Sequence, residues 1–205
     1  MSTKKIAILG GSFDPITKGH IDIAQYVLKN SDMEEIWLSP CGGHLQKGTK
    51  ASGPNRLEMC DLAIANTINI YVCKYEVEHL LDGSAYKFIK SLKELWKDEI
   101  DFHYIIGMDN VYNFNTWRKP EELKSIAKFI VVPRKCVVTC QDSWYRTEPH
   151  RFLNIGSGVM KSSSTEVRRL LKKWWKNPDS VQEKLDKLVD SNVLTYIATE
   201  GIYTG

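Results

Sequence analysis

Short apolar runs alternate with amphipathic segments along almost the whole chain, and few architectures accept that order. The runs are Lys4–Leu9, Glu35–Ser39, Ile68–Val72, Phe102–Ile106 and Phe129–Val132, with Arg151–Ile155 as a weaker sixth. Most of them stop at a glycine or proline: Gly10-Gly11, Pro40, Gly107 and Pro133. Apolar runs this short, bounded by turn residues, read as buried strands. Between them, His20–Lys29, Arg56–Asn66 and Tyr86–Lys97 carry apolar side chains at helical spacing, and Glu121–Ile126 is a shorter helix after Pro120. Pro54 suits the first turn of the second of these. Strands separated by helices need crossover connections, which are right-handed in nearly all proteins, so a parallel sheet covered on both faces is predicted. Ligands of such sheets sit beyond the carboxyl ends of the strands. The loops after Leu9, Ser39, Ile106 and Val132 are therefore the places to look.

A length of 205 residues with 42% hydrophobic side chains suits one domain with a real core. Residues 1–160 form the predicted α/β core and 161–205 a small helical part, beginning near Ser164. Lys and Arg number 28 against 25 Asp and Glu, a balance that does not call for a nucleic-acid partner. No apolar run approaches the ~20 residues of a membrane span, and the one after Lys5 is too short for a signal peptide. No membrane partner is expected, and the cytoplasm is the expected location. The five cysteines are odd in number and form no C-x-x-C, as reduced thiols would be. Cys136 and Cys140 lack zinc-knuckle spacing, so no protein-held metal is expected. Cys41–Ser52 reads as a mobile loop long enough to serve a function, and Lys135–His150 is polar and irregular.

The loop after the first strand is Gly10-Gly11-Ser12-Phe13-Asp14-Pro15-Ile16-Thr17-Lys18-Gly19-His20. Glycines there let a backbone approach a phosphate, and the helix that follows aims unpaired N–H groups and a positive dipole end at it. His20 falls at that helix start, where its ring can donate to phosphate oxygens. The spacing fits neither the dinucleotide G-x-G-x-x-G nor the Walker G-x-x-x-x-G-K-[ST]. Near the other end stands Ser162-Ser163-Ser164-Thr165-Glu166-Val167-Arg168. Ser163 or Ser164 can cap a helix, with Glu166 in its first turn and Val167, Leu170, Leu171 and Trp174 on its apolar face. Arg169, Lys172, Lys173 and Lys176 read as a solvated surface, whereas Arg168, one turn from the cap, can hold a second set of phosphate oxygens.

The string G-G-S-F-D-P followed by T-x-G-H resembles the signature of the nucleotidyltransferases with an HxGH or TxGH motif. Ser162–Arg168 resembles their I-S-S-T-x-[IV]-R segment, with Ser162 where the isoleucine usually stands. Together they resemble the nicotinate or nicotinamide mononucleotide adenylyltransferases. Ala51–Met59, Ile105–Asp109, Trp117 with Glu121–Leu123, Ile130–Arg134, Val193–Ile197 and Gly201–Tyr203 match further segments of that family. The resemblance implies a Rossmann-like, doubly wound parallel sheet. It also implies transfer of an adenylyl group from ATP to the mononucleotide, with Mg2+ bridging the phosphates.

Carried over position by position, Gly10, Gly11, Ser12 and Phe13 hold the mononucleotide and its phosphate. Thr17 and His20 contact phosphate, Gly107 and Asp109 hold the adenosine ribose, and Trp117 stacks on the pyridine ring. Ser163, Ser164, Thr165 and Arg168 bind ATP phosphates, and Arg134 closes a matching strand end. His20, Arg168 and Lys47 are the expected stabilisers of charge in the transition state. Three departures stand out. Thr17 replaces the motif's first histidine, as in the pantetheine-phosphate adenylyltransferases. The P-P-H-K loop appears as Pro40–Lys47, with His44 and Lys47 in its roles at altered spacing. An ungapped match to S-Y-T-x-x-T-L puts Phe88 at the first threonine, which leaves acid or amide preference open. Pantetheine-phosphate adenylyltransferase and a non-catalytic nucleotide-binding regulatory module remain as alternative readings. A homo-oligomer is common among such relatives. On the favoured reading, residues 10–20 and 163–168 must close on one triphosphate.

Overall fold

The computed structural model describes residues 3–43, 49–97, 99–133, 143–154 and 162–204. Each predicted apolar run contributes a strand: β1 (Lys4–Gly11), β2 (Glu35–Pro40), β3 (Ile70–Val72), β4 (Ile100–Gly107), β5 (Lys128–Val132) and the short β6 (Arg151–Phe152). Among the described residues these six form one sheet in the order β3-β2-β1-β4-β5-β6. Every neighbouring pair is parallel, with Leu9 opposite Leu38 on one side and Ile105 on the other. The order reverses between β1 and β4, and that switch point is where an open α/β sheet leaves a crevice for a ligand.

Helices α1 (Lys18–Asn30), α2 (Gly53–Ile64), α3 (Tyr75–Glu78), α4 (Ala85–Trp96), α5 (Met108–Tyr112), α6 (Pro120–Ile126), α7 (Ser164–Trp174), α8 (Gln182–Leu188) and α9 (Ser191–Thr199) cover the sheet. Alternate residues of each strand point to opposite faces. Ala7, Leu9, Ile105 and Ile130 accordingly join one apolar cluster, and Ile8, Tyr104, Ile106 and Phe129 join the other. The first cluster includes Ala24 and Val27 of α1, Met59 of α2 and Val167, Leu170 and Leu171 of α7. It also includes Leu185 of α8 and Ile197 of α9, so the three C-terminal helices share a core with β1. Burial of each such side chain stabilises by roughly 1.5–3 kcal/mol. The second cluster takes Phe88, Ile89 and Leu92 of α4 and Leu123 of α6.

Several element boundaries differ from the expected ones, two of them markedly. The helix expected from Arg56 to Asn66 starts at Gly53, behind the Ser52 side chain that accepts from the Asn55 N–H, and ends at Ile64. The sixth strand is two residues long, and Ile155 lies outside the described residues. Cys41, Cys60 and Cys73 are buried free thiols; Cys136 and Cys140 lie outside the described residues. Among the described residues no helix is long and apolar enough to cross a membrane.

Candidate functional site

A cleft of about 410 Å³ opens at the carboxyl ends of β1 and β4, on the switch point. Gly10, Gly11 and Ser12 line one side, Cys41, Gly43 and Glu76 another, and Trp117 stands across from them. Gly10 is required by its neighbour: a Cβ there would lie 1.9 Å from the Tyr104 hydroxyl oxygen. Tyr104 comes from the adjacent β4 and also lines the cleft. Trp117 is half-buried because its indole stacks on Phe114, ring centroids 5.2 Å apart. Ser84, only 3% exposed, lines the cleft with an Oγ that has no hydrogen-bond partner among the described residues.

The cleft wall is braced by a buried arginine that the sequence reading passed over. Arg56 is 1% exposed and donates from Nη1 to the Ser12 carbonyl (2.9 Å) and from Nη2 to the Cys41 carbonyl (2.8 Å), joining the ends of β1 and β2. Glu76 lies nearby, 2% exposed, accepting from the Ser39 hydroxyl at 3.3 Å. Burial pushes its carboxyl up to about 7, against the opposing pull of Ser39, the Gly42 N–H and Arg56. Periodicity flags neither residue: Arg56 sits on an otherwise ordinary helix, and Glu76 on a single helical turn too short for a period.

Beyond Ser12 the loop turns sharply. Phe13 adopts a left-handed backbone (φ 44°), is buried to 1%, and meets the His20 ring edge-on at 5.1 Å. Its side chain therefore shapes the loop from below. Thr17 caps α1 from an extended backbone, and its N–H donates to His20 Nδ1 at 3.1 Å. Against this loop comes the start of α7. Ser163 Oγ caps the helix by accepting from the Glu166 N–H (3.2 Å), and Ser164 Oγ donates to the Pro15 carbonyl (2.8 Å). Arg168 donates from Nη1 to the Asp14 carbonyl, stands 3.7 Å from the Asp14 carboxylate, and donates from Nη2 to Thr165 Oγ1 at 3.3 Å. Thus the segments carrying His20 and Arg168 meet at the same six-residue loop, residues 12–17.

Not every expected residue joins them. Gly107 caps α5 as a buried residue, but Asp109 in the first turn is exposed, and Asn110 is the α5 residue that lines the cleft. Phe88 is fully buried in the core, so Ser84, Ala85 and Tyr86 form the wall where the threonine-bearing segment was sought. Lys47, His44 and Arg134 lie outside the described residues. Arg169, Lys172, Lys173 and Lys176 are exposed, as a solvated face should be.

A reversing parallel sheet, a glycine-ended first strand and two helix starts facing one loop define a nucleotide-transfer enzyme of the cytidylyltransferase-like class. The model of the family described as Cytidylyltransferase-like matches residues 8–170. Within that class the chain belongs to the nicotinate-nucleotide adenylyltransferase family. A probable nicotinate-nucleotide adenylyltransferase of Fusobacterium nucleatum is 33% identical, with 93% of this chain and 99% of that one covered. The nicotinate-nucleotide adenylyltransferase of Bacillus subtilis is 30% identical, with 98% of each covered. Among solved structures, Plasmodium falciparum nicotinic acid mononucleotide adenylyltransferase complexed with NaAD shares the fold. Its TM-score is 0.81 at 24% identity, with 98% of this chain and 97% of that one covered.

Proposed function

We propose that this chain joins ATP and nicotinate mononucleotide to give the dinucleotide and pyrophosphate, an adenylyl transfer in NAD biosynthesis. The observation that carries the reading is the convergence of His20 and Arg168 on the loop between β1 and α1, beside a cleft walled by Trp117. The mononucleotide lies in that cleft, its ring against Trp117, whose face attracts a cationic pyridinium. Its 5′-phosphate rests at the Gly10-Gly11-Ser12 turn, with Phe13 holding that turn in shape. One phosphate oxygen attacks the α-phosphorus of ATP in line, and pyrophosphate leaves from the opposite side. A phosphate monoester is nucleophilic near neutral pH, so positioning and charge stabilisation supply the rate.

Arg168 neutralises the charge that develops on the α-phosphate and pyrophosphate, the His20 ring donates a hydrogen bond to it, and Lys47 adds a second cation. The hydroxyls of Ser163 and Ser164 are already engaged in building the start of α7. The helix therefore offers the triphosphate its first-turn amides and dipole end, with Thr165 steadying Arg168. Gly107, the N-cap of α5, lies beneath the adenosine ribose, and the exposed Asp109 reaches its hydroxyls from the first turn of that helix. No group of three or more His, Cys, Asp or Glu among the described residues is placed to hold a metal ion. Mg2+ in this reading arrives on the ATP phosphates as part of the substrate.

Pyrophosphate release from ATP tests the reading, with nicotinate mononucleotide, nicotinamide mononucleotide and phosphopantetheine offered separately. Turnover is expected with the nicotinate form. Turnover with phosphopantetheine alone would move the chain to the pantetheine-phosphate branch. Nucleotide binding without release from any of the three would leave a regulatory module.

A further inference from the structure

The two residues that depart from the family pattern, Thr17 in the first motif and Ser162 in the second, touch each other across 145 residues of chain. Ser162 Oγ donates to Thr17 Oγ1 at 2.7 Å, and Thr17 Oγ1 lies 2.9 Å from His20 Nδ1. A backbone amide, whose proton cannot move, stands at each end of this hydrogen-bond chain, and the one at the histidine end sets its direction. At one end the Gly19 N–H donates to Ser162 Oγ (3.1 Å), which fills one lone pair and leaves the Ser162 proton for Thr17. At the other end the Thr17 N–H donates to His20 Nδ1 (3.1 Å), so Nδ1 must present its lone pair. Thr17, having accepted from Ser162, turns its own hydroxyl proton to the same nitrogen. A proton on Nδ1 would face the Thr17 amide head-on.

We infer that Ser162 and Thr17 are positioning residues that hold the His20 imidazole with its proton on Nε2, so that the ring meets phosphate oxygens as a donor from that nitrogen. Neither hydroxyl needs to touch substrate for this. The inference rests on the adenylyl-transfer reading for its consequence, though not for the state of the ring. The two hydroxyls act as a pair. Thr17 is 2% exposed and cannot exchange this partner for water without moving the start of α1.

The test is a double-mutant cycle with a spectroscopic control. Ser162→Ala and Thr17→Val should each lower kcat/KM for ATP about tenfold, the effect of one well-placed hydrogen bond, while Ser162→Thr and Thr17→Ser restore it. KM for the mononucleotide should not move. In a His20→Ala background, itself about a hundredfold or more slower, Ser162→Ala should cost nothing further. A loss that persists undiminished without His20 would overturn the inference, as would full activity in Ser162→Ala. Nitrogen-15 spectra of the histidine rings, assigned by comparison with His20→Ala, need no turnover. They should place the neutral His20 proton on Nε2 in the parent chain, and in the Thr17→Val, Ser162→Ala pair they should move the Nδ1 resonance toward that of a less strongly hydrogen-bonded ring nitrogen. A proton on Nδ1 in the parent would also overturn it. An Nε2 proton in a chain with no transferase activity would sink the functional reading and leave the ring assignment standing.

Discussion

Glu76 is a carboxyl with 2% exposure whose affinity for its proton is raised from 4.5 to about 7 by burial. Between those values the unfolded chain has released the proton and the folded chain keeps it, so folding stability falls as pH rises through this window. The difference corresponds to about 3 kcal/mol. Glu76→Gln keeps the shape and removes the titration. Relative to this variant, the parent should lose about 3 kcal/mol between pH 4 and pH 8 in urea unfolding, with most of the change between pH 4.5 and 7. Parallel curves for the two proteins would show that Glu76 titrates normally. The residue was invisible in sequence for a simple reason. Tyr75–Glu78 is a single helical turn, too short for a period, and a lone Glu there looks like any solvated acid. Arg56 hides in the same way on α2, although the guanidinium that ties Ser12 to Cys41 is as buried as any phenylalanine in the core. The helix starts near His20 and Arg168 were legible because each follows hydroxyl or glycine residues, a pattern local enough to survive without the fold.

Among elements, β1 and β4 matter most, because the cleft lies between their ends. Strands buried on both faces read as unbroken apolar runs, which is why Lys4–Leu9, Phe102–Ile106 and Phe129–Val132 were legible while two-residue β6 was barely so. Register across the sheet was not legible, and it is register that sets Tyr104 beside Gly10. Tyr104 lies opposite Ile8 in β4, and its hydroxyl reaches the space a Gly10 side chain would fill. Gly10→Ala should therefore push the phenol aside, lower stability by about 1–3 kcal/mol as overpacking does, and narrow the cleft. Deleting the phenol oxygen removes the worst overlap and leaves ring carbon Cζ 2.8 Å away, so Gly10→Ala with Tyr104→Phe should recover part of the lost stability, measured by denaturant unfolding. Additive losses in the pair would mean that the two positions do not collide. Had the first glycine been needed only for its backbone freedom, the second substitution would bring no relief.

At the scale of the molecule, Asp14 is where distant parts of the chain are tied together. Its carboxylate accepts from the Lys50 N–H (2.8 Å), the Ala51 N–H (2.9 Å) and the Tyr203 hydroxyl (2.7 Å), and its carbonyl accepts from Arg168. The end of the chain is thereby joined to the loop between β1 and α1 across 189 residues, alongside the end of the loop that follows β2. Burial together with the Asp14 contact raises the Tyr203 phenol well above its usual range, so the hydroxyl remains a donor at any working pH. Such a tie couples global stability to the site, because Arg168 leans on the same residue. Tyr203→Phe removes one hydrogen bond to a carboxylate and should cost about 1.5–3 kcal/mol. A substitution of lower but comparable cost at the far edge of the sheet, Ile70→Val in β3, should cost about 0.5–1.5 kcal/mol. Ligand binding separates a global loss from a coupled one. A nucleotide that binds only the folded chain raises stability by an amount set by its concentration over Kd, and a lower intrinsic stability leaves that increment unchanged. Ile70→Val should thus keep the full Tm increment given by saturating ATP. Tyr203→Phe should show a smaller one, because the loosened Asp14 no longer holds Arg168 toward the triphosphate. Equal increments in the two variants would confine Tyr203 to fastening the chain end, and the link from terminus to site would be lost.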